Sequence, residues 1–178
     1  MRFVAALLLS VALLSLATAA RAQLKSDWEM KNEDRLKQSG EVLVAPPPLD
    51  RARLVEVKLH VSAETEFRYY VDQTSVSVGA DRIVRYVLVS RSPSGAENVS
   101  FEGIRCPGDY RVYAVGRPDG SWGGRPTEWR EIPRNANAGQ NTLARQYFCP
   151  GRHPIASNDE GQRALRAGGH PGVFPEVR

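Results

Sequence analysis

Cys106 and Cys149 are the only two cysteines among the 178 residues. Such a pair has three uses: a structural disulfide, a redox couple, or part of a metal site. Redox couples favour Cys-x-x-Cys beside a helix start, whereas these two stand far apart and each is followed by Pro-Gly. Zinc needs further ligands at short spacing, and neither cysteine has them. In an oxidising compartment the pair is most simply a disulfide. Closing a loop of ~44 residues would stabilise the fold by about 4 kcal/mol. That is a large share of a typical net stability of ~5–15 kcal/mol.

The other reactive side chains form no recognisable machinery. His60, His153 and His170 are scattered, and none has the orienting group that a nucleophile–base system requires. No serine sits in a G-x-S-x-G elbow, and no glycine-rich loop is placed to cradle phosphate. Glu97 and Glu102 are the carboxylates a glycan hydrolase would need, but sequence spacing alone does not set them about a sugar. No catalytic residue, cofactor or metal is assigned, and the chain reads as a non-enzymatic protein. The richest polar run holds Arg85, Tyr86, Glu102, Arg105, Tyr110, Arg111 and Tyr113. Residues two apart on a strand share a face, so Tyr69, Glu102 and Arg111 are expected to form one mixed recognition surface. The plainer alternative is cross-strand ion pairing around core tyrosines. Asn98-Val99-Ser100 matches a glycosylation acceptor, a pattern frequent by chance.

The elements that must position these residues begin after residue 22. Met1-Arg2 carries a positive charge, Phe3 to Leu16 is almost wholly apolar, and Ala20-Arg21-Ala22 closes a small-residue stretch. This is the plan of a secretory signal peptide over residues 1–22, with cleavage expected between Ala22 and Gln23. The apolar run falls short of the ~20 residues of a membrane span, so no stable membrane insertion is expected after export. Without Arg2 and Arg21 the chain holds 22 basic and 20 acidic residues, too small an excess to imply a nucleic-acid partner.

Residues 23–50 read as a charged arm followed by a proline-rich linker. Ser26-x-x-Glu29 offers a capping box for a short helix, whose thin apolar stripe of Trp28 and Leu36 would need a partner. Ala45-Pro46-Pro47-Pro48 forces extended backbone. A single domain is expected over residues 51–169, with a tail over 170–178. Val55, Val57, Leu59 and Val61 alternate with polar residues, as in a half-buried strand. Further strands are expected at Phe67–Val71, Val76–Val78, Ile83–Val89, Val99–Cys106 and Tyr110–Gly116, with Ile83–Val89 central because it is apolar on both faces except for Arg85. Gly79 is expected to supply the unusual backbone angles of the turn before Ile83. Short turns favour antiparallel neighbours. The fold class is α+β: an antiparallel sheet of five or six strands, with one or two short C-terminal helices packed on it. Those helices are expected after Asn141 as a cap, and after the capping box Ser157-x-x-Glu160 with Gly168 as the stop. Ser121 to Gly139 reads mostly as loop.

Several runs also resemble a known family. They are Ser75-Val-Ser-Val-Gly-Ala-Asp81, Val84-Arg-Tyr-Val-Leu-Val89, and Ser94-Gly-Ala-Glu-Asn-Val-Ser-Phe-Glu-Gly-Ile-Arg-Cys106. Tyr113-Ala-Val-Gly-Arg117, Asp119-Gly-Ser-Trp122 and Phe148-Cys-Pro150 continue the pattern. Together they resemble the cryptic neisserial protein-like family across roughly residues 51–169. The resemblance implies a small exported protein of Gram-negative bacteria, and it brings no activity, cofactor or catalytic residue. The expected protein is therefore a periplasmic binding domain whose partner is an envelope protein or cell-wall component. A cell-wall or glycan hydrolase with an unrecognised carboxylate pair is the alternative.

Overall fold

β3 (Ile83–Arg91) is the strand on which both cores rest. Every residue from Ile83 to Val89 is buried, the mark of a strand covered on its two faces. The computed structural model describes residues 25–58, 67–132 and 139–173. The expected signal peptide and its Ala22/Gln23 cleavage point lie outside these residues, as do His60, the expected strand continuation through Leu59 and Val61, and the end of the tail.

The sheet is antiparallel, with β1 (Leu54–Val57), β2 (Arg68–Val78), β3, β4 (Glu97–Arg105), β5 (Asp109–Gly116) and β6 (Trp122–Gly123) in sequence order. A further short strand, β7 (Arg130–Glu131), pairs with the start of β5. This meander is the α+β sheet that the alternating pattern calls for. One expectation about the strands is corrected. Phe67–Val71 and Val76–Val78 are not separate strands but one long β2 with a bulge between Asp72 and Ser77. The bulge leaves a ladder donor over, and Ser75 supplies the acceptor: its Oγ takes the Val87 N–H at 2.7 Å and donates to Asp72 O at 2.6 Å. The Ser121–Gly139 stretch is mostly loop among its described residues, as expected, with the short β6 and β7 extending the edge along β5.

The turn into β3 also differs. Arg82 takes the left-handed backbone, with φ at 60°. Gly79 is needed for space instead, since a Cβ there would meet Asp81 Oδ1 at 2.5 Å and Arg85 Nη1 at 3.2 Å.

One face of the sheet carries Val57, Val71, Val84, Tyr86, Leu88 and Ile104. Its cover is α2, a short helix at Gly139–Thr142 that continues as π-helical turns through Leu143–Phe148, and α3 (Asn158–Ala167). Asn141 lies inside α2 and is buried, so it is not the cap expected of it. α3 starts and stops as the sequence requires: Ser157 Oγ accepts the Glu160 N–H at 3.2 Å, and Gly168 ends the helix at φ 74°. Its Gly161 lets it approach closely, for a Cβ there would sit 2.6 Å from Ile155 and 2.7 Å from Val76. Cys106, after β4, is bonded to Cys149, after α2, with the Cα atoms 5.7 Å apart. The disulfide thus ties the covering helices to the sheet.

The opposite face holds Val87, Phe101, Tyr113 and Ala114. Its cover is α1 (Asp27–Gln38), capped by Ser26 and Glu29 in a reciprocal box, and the extended segment that follows. Trp28 and Leu36 from α1 are buried there, with Leu43, Val44 and Leu49 packed beside them. The expected boundary at residue 51 therefore does not separate this segment from the sheet. The prolines run across the face as a strap, and Trp122 Nε1 donates to Pro47 O at 2.9 Å.

Candidate functional site

Alternation along the strands divides the candidate residues between the two faces. Tyr86 pairs with Glu102 across β3 and β4, and Tyr69 with Ser90 across β2 and β3, so Tyr69 and Glu102 share the helix-covered face. Arg111 pairs with Gly103 and stands on the other. The single surface expected of Tyr69, Glu102 and Arg111 is not formed, because adjacent strand positions point oppositely. Glu97 and Glu102 are divided in the same way. Glu97 lies opposite Arg91, on the far face from Glu102, so the two do not straddle a common substrate.

Glu102 is 3% exposed. Tyr86 Oη donates to it at 3.0 Å, Ser100 Oγ at 2.7 Å and Gln140 Nε2 at 3.1 Å. All three partners are neutral. Burial pushes its carboxyl above the ordinary glutamate range, and the three hydrogen bonds offset only part of the rise. Burial also raises the Tyr69 phenol, and the Glu102 charge adds to it.

Arg111 belongs to a second network that fastens the strap. Its guanidinium binds Glu41 and donates through Nε to Thr127 O at 2.8 Å. Tyr113 Oη and Trp129 Nε1 also donate to Glu41. Arg85, 1% exposed, grips Asp81 with both terminal nitrogens, at 2.6 and 3.1 Å, and donates to Val42 O at 3.1 Å. Burial works to raise the Asp81 carboxyl, but hydrogen bonds from Arg85 and the Val42 N–H outweigh it and hold it low. These groups satisfy one another. Their arrangement is a fastening, and it leaves no open edge for a ligand.

An open site does lie on the same face, beside the strap. A groove of about 570 Å³ runs between the first turns of α1 and the β5–β6 hairpin, walled by Trp28, Pro46 and Trp122 and edged by Lys31, Arg117 and Ser121. The hairpin is built by its turn: Gly120 takes φ 82°, its N–H reaches Arg117 O at 3.0 Å, and Asp119 accepts the Ser121 N–H at 2.9 Å. Gly116 faces Trp122, which sets Arg117 and Ser121 at the hairpin's tip. Trp28 is 5% exposed and its indole N–H has no acceptor among the described residues. Arg117 and Trp122 stood in the sequence as the ends of two separate runs of the family resemblance, and nothing there showed the arrival of α1 beside them.

Residues 33–166 match the model of the CNP1-like family. The chain belongs to the CNP1-like family. The match spans the sheet, both covers and the disulfide, and it begins within α1. No curated protein and no solved structure matches this CNP1-like chain. Among its described residues no cluster of three or more side chains is placed to hold a metal ion, and no helix is long and apolar enough to cross a membrane.

Proposed function

We propose that the protein is a non-enzymatic binding domain of the bacterial cell envelope, exported to the periplasm, and that it takes its ligand in the groove between α1 and the β5–β6 hairpin. The groove carries this reading. It has the size of a small-ligand site, ~300–1,000 Å³, with aromatic walls and cationic edges. The disulfide supports an oxidising compartment, as does the tripartite N-terminal sequence. A hydrolase would place its carboxylate of raised pKa where substrate enters. Glu102 instead lies beneath α2, on the face away from the groove.

Two of the protein's three tryptophans line the groove, so intrinsic fluorescence reports occupancy. Titrating the exported protein with solubilised cell-wall fragments is expected to shift its emission. Gly123→Val, which would push the Arg117 guanidinium out of its seat, is expected to abolish the shift without lowering the melting temperature. A titration that leaves the emission of both proteins unchanged rejects the reading. The compartment is tested separately, by recovery in an osmotic-shock fraction with Gln23 as the first residue.

A further inference from the structure

The charges around the groove point to what it binds. Lys25 and Lys37 both spend their charge on Glu33. Lys31, on the groove edge, has no carboxylate within ion-pair distance among the described residues, and neither has Arg117. Asp27 is the one acidic residue in the lining, and it sits in the first turn of α1, where the helix dipole favours it.

Arg117 is held in place through Nη1 alone. Nη1 donates to Ser121 Oγ at 3.3 Å and to Trp122 O at 3.2 Å. Nε and Nη2 have no acceptor among the described residues, and together they form the edge that grips a carboxylate or phosphate bidentately. Glycine at 123 makes room for the guanidinium itself: a Cβ there would lie 2.4 Å from Nη2, 2.6 Å from Cζ and 2.8 Å from Nε.

Resting on the groove reading above, we propose that the ligand is an anionic saccharide. Its carboxylate or phosphate sits on the Nε/Nη2 edge of Arg117, with Lys31 supplying a second positive charge. Its ring lies along Pro46 and Trp122, whose surfaces are only partly buried. An acidic peptide fits less well. Extended peptides are held by main-chain hydrogen bonds along an exposed strand, and β6 offers only two residues. Apolar ring surface interrupted by the Ser26 and Ser121 hydroxyls suits a ligand with C–H faces and hydroxyl edges.

Calorimetric titration decides, using trigalacturonate, its trimethyl ester, a phosphorylated trisaccharide and triglutamate as probes. One or both charged saccharides are expected to bind, which also tells carboxylate from phosphate, with the ester weaker by about tenfold or more. Arg117→Ala is expected to weaken binding roughly 10- to 100-fold. Arg117→Lys, which keeps the charge and loses the fork, is expected to fall between. Unchanged melting temperatures and circular dichroism exclude misfolding. Equal binding of the ester, or an Arg117→Ala variant that binds like the wild type, overturns the anion clamp. Tighter binding of triglutamate overturns the saccharide. If wall fragments shift the fluorescence while none of the four probes binds, the ligand class is wrong and the groove reading stands. If neither fragments nor probes act, both fall.

Discussion

A guanidinium in the middle of a central strand is tolerable only while something answers its charge. For Arg85 that something is Asp81, four residues back across a turn, with the Val42 carbonyl as a third acceptor. Removing one member of a buried ion pair costs about 3–5 kcal/mol, because the other stays behind unpaired. Asp81→Asn is therefore expected to lower unfolding free energy in urea by about that much. Adding Arg85→Met should restore most of it, and a double variant as weak as the single one would show that the pair is not the cause. Glu102 behaves in the opposite sense. Its folded pKa is raised above the ordinary 4.5, so the folded state holds a proton that the unfolded chain has released. Its contribution is complete below pH ~4.5 and is lost as pH rises through the folded value, at about 1.4 kcal/mol per unit within that window. Other carboxylates here are lowered and slope the other way, so the clean readout is a comparison: Glu102→Gln should flatten the difference curve and gain on the wild type as pH rises. Parallel curves would mean that Glu102 is not the titrating group. Arg85 was visible in the sequence as the one charge in an apolar run. Its partner was not, since nothing in a linear pattern says which acid folds back over a turn.

At the scale of elements, whatever depends on neighbours in the chain could be read. The strands follow from apolar alternation, and both Ser-x-x-Glu signals cap a helix: Ser26 and Glu29 close a full box, whereas Ser157 accepts the Glu160 N–H and Glu160 takes the Ala156 N–H instead. The features that went unread depend on distant partners. β2 runs through its bulge because Ser75 meets a donor from β3, and α2 needs no Asn141 cap because it is seated by the first core. Arg111 left the expected surface through the simplest cause, the parity of its position on β5. The closest approach of helix to sheet, at Gly161, allows a direct check. Gly161→Ala adds one methyl between Ile155 and Val76, where overpacking costs about 1–3 kcal/mol. Alanine's better helix propensity, worth up to about 1 kcal/mol over glycine, works against this. A net loss in thermal denaturation is expected; a net gain would mean that α3 can lift off β2 without penalty.

For the molecule as a whole, the sheet is the shared wall of two cores, and each cover is fastened by a different kind of bond. The helical cover is tied covalently through Cys106 and Cys149. The cover formed by α1 and the strap is held by packing and by polar contacts at Glu41, Val42 and Pro47. Three consecutive prolines read in sequence as a spacer, yet here they lie against Trp122 and bring α1 to the groove. The two fastenings should fail differently. Cys106→Ser and chemical reduction act on one bond, so each should lower stability by about 4 kcal/mol, with no further loss when reductant is added to the variant. Deleting residues 1–50 instead uncovers Phe101 and Tyr113 and strips Arg111 and Arg85 of Glu41 and Val42, a loss of both burial and charge pairing. The shortened protein is expected to be unfolded or aggregated at neutral pH, oxidised or not. A synthetic peptide of residues 25–50 added in trans should restore a cooperative transition, since the lost contacts require the segment but not its covalent link at Arg51. If the shortened protein melts like the intact one, the second core is dispensable and the groove that α1 helps to wall cannot be the binding site.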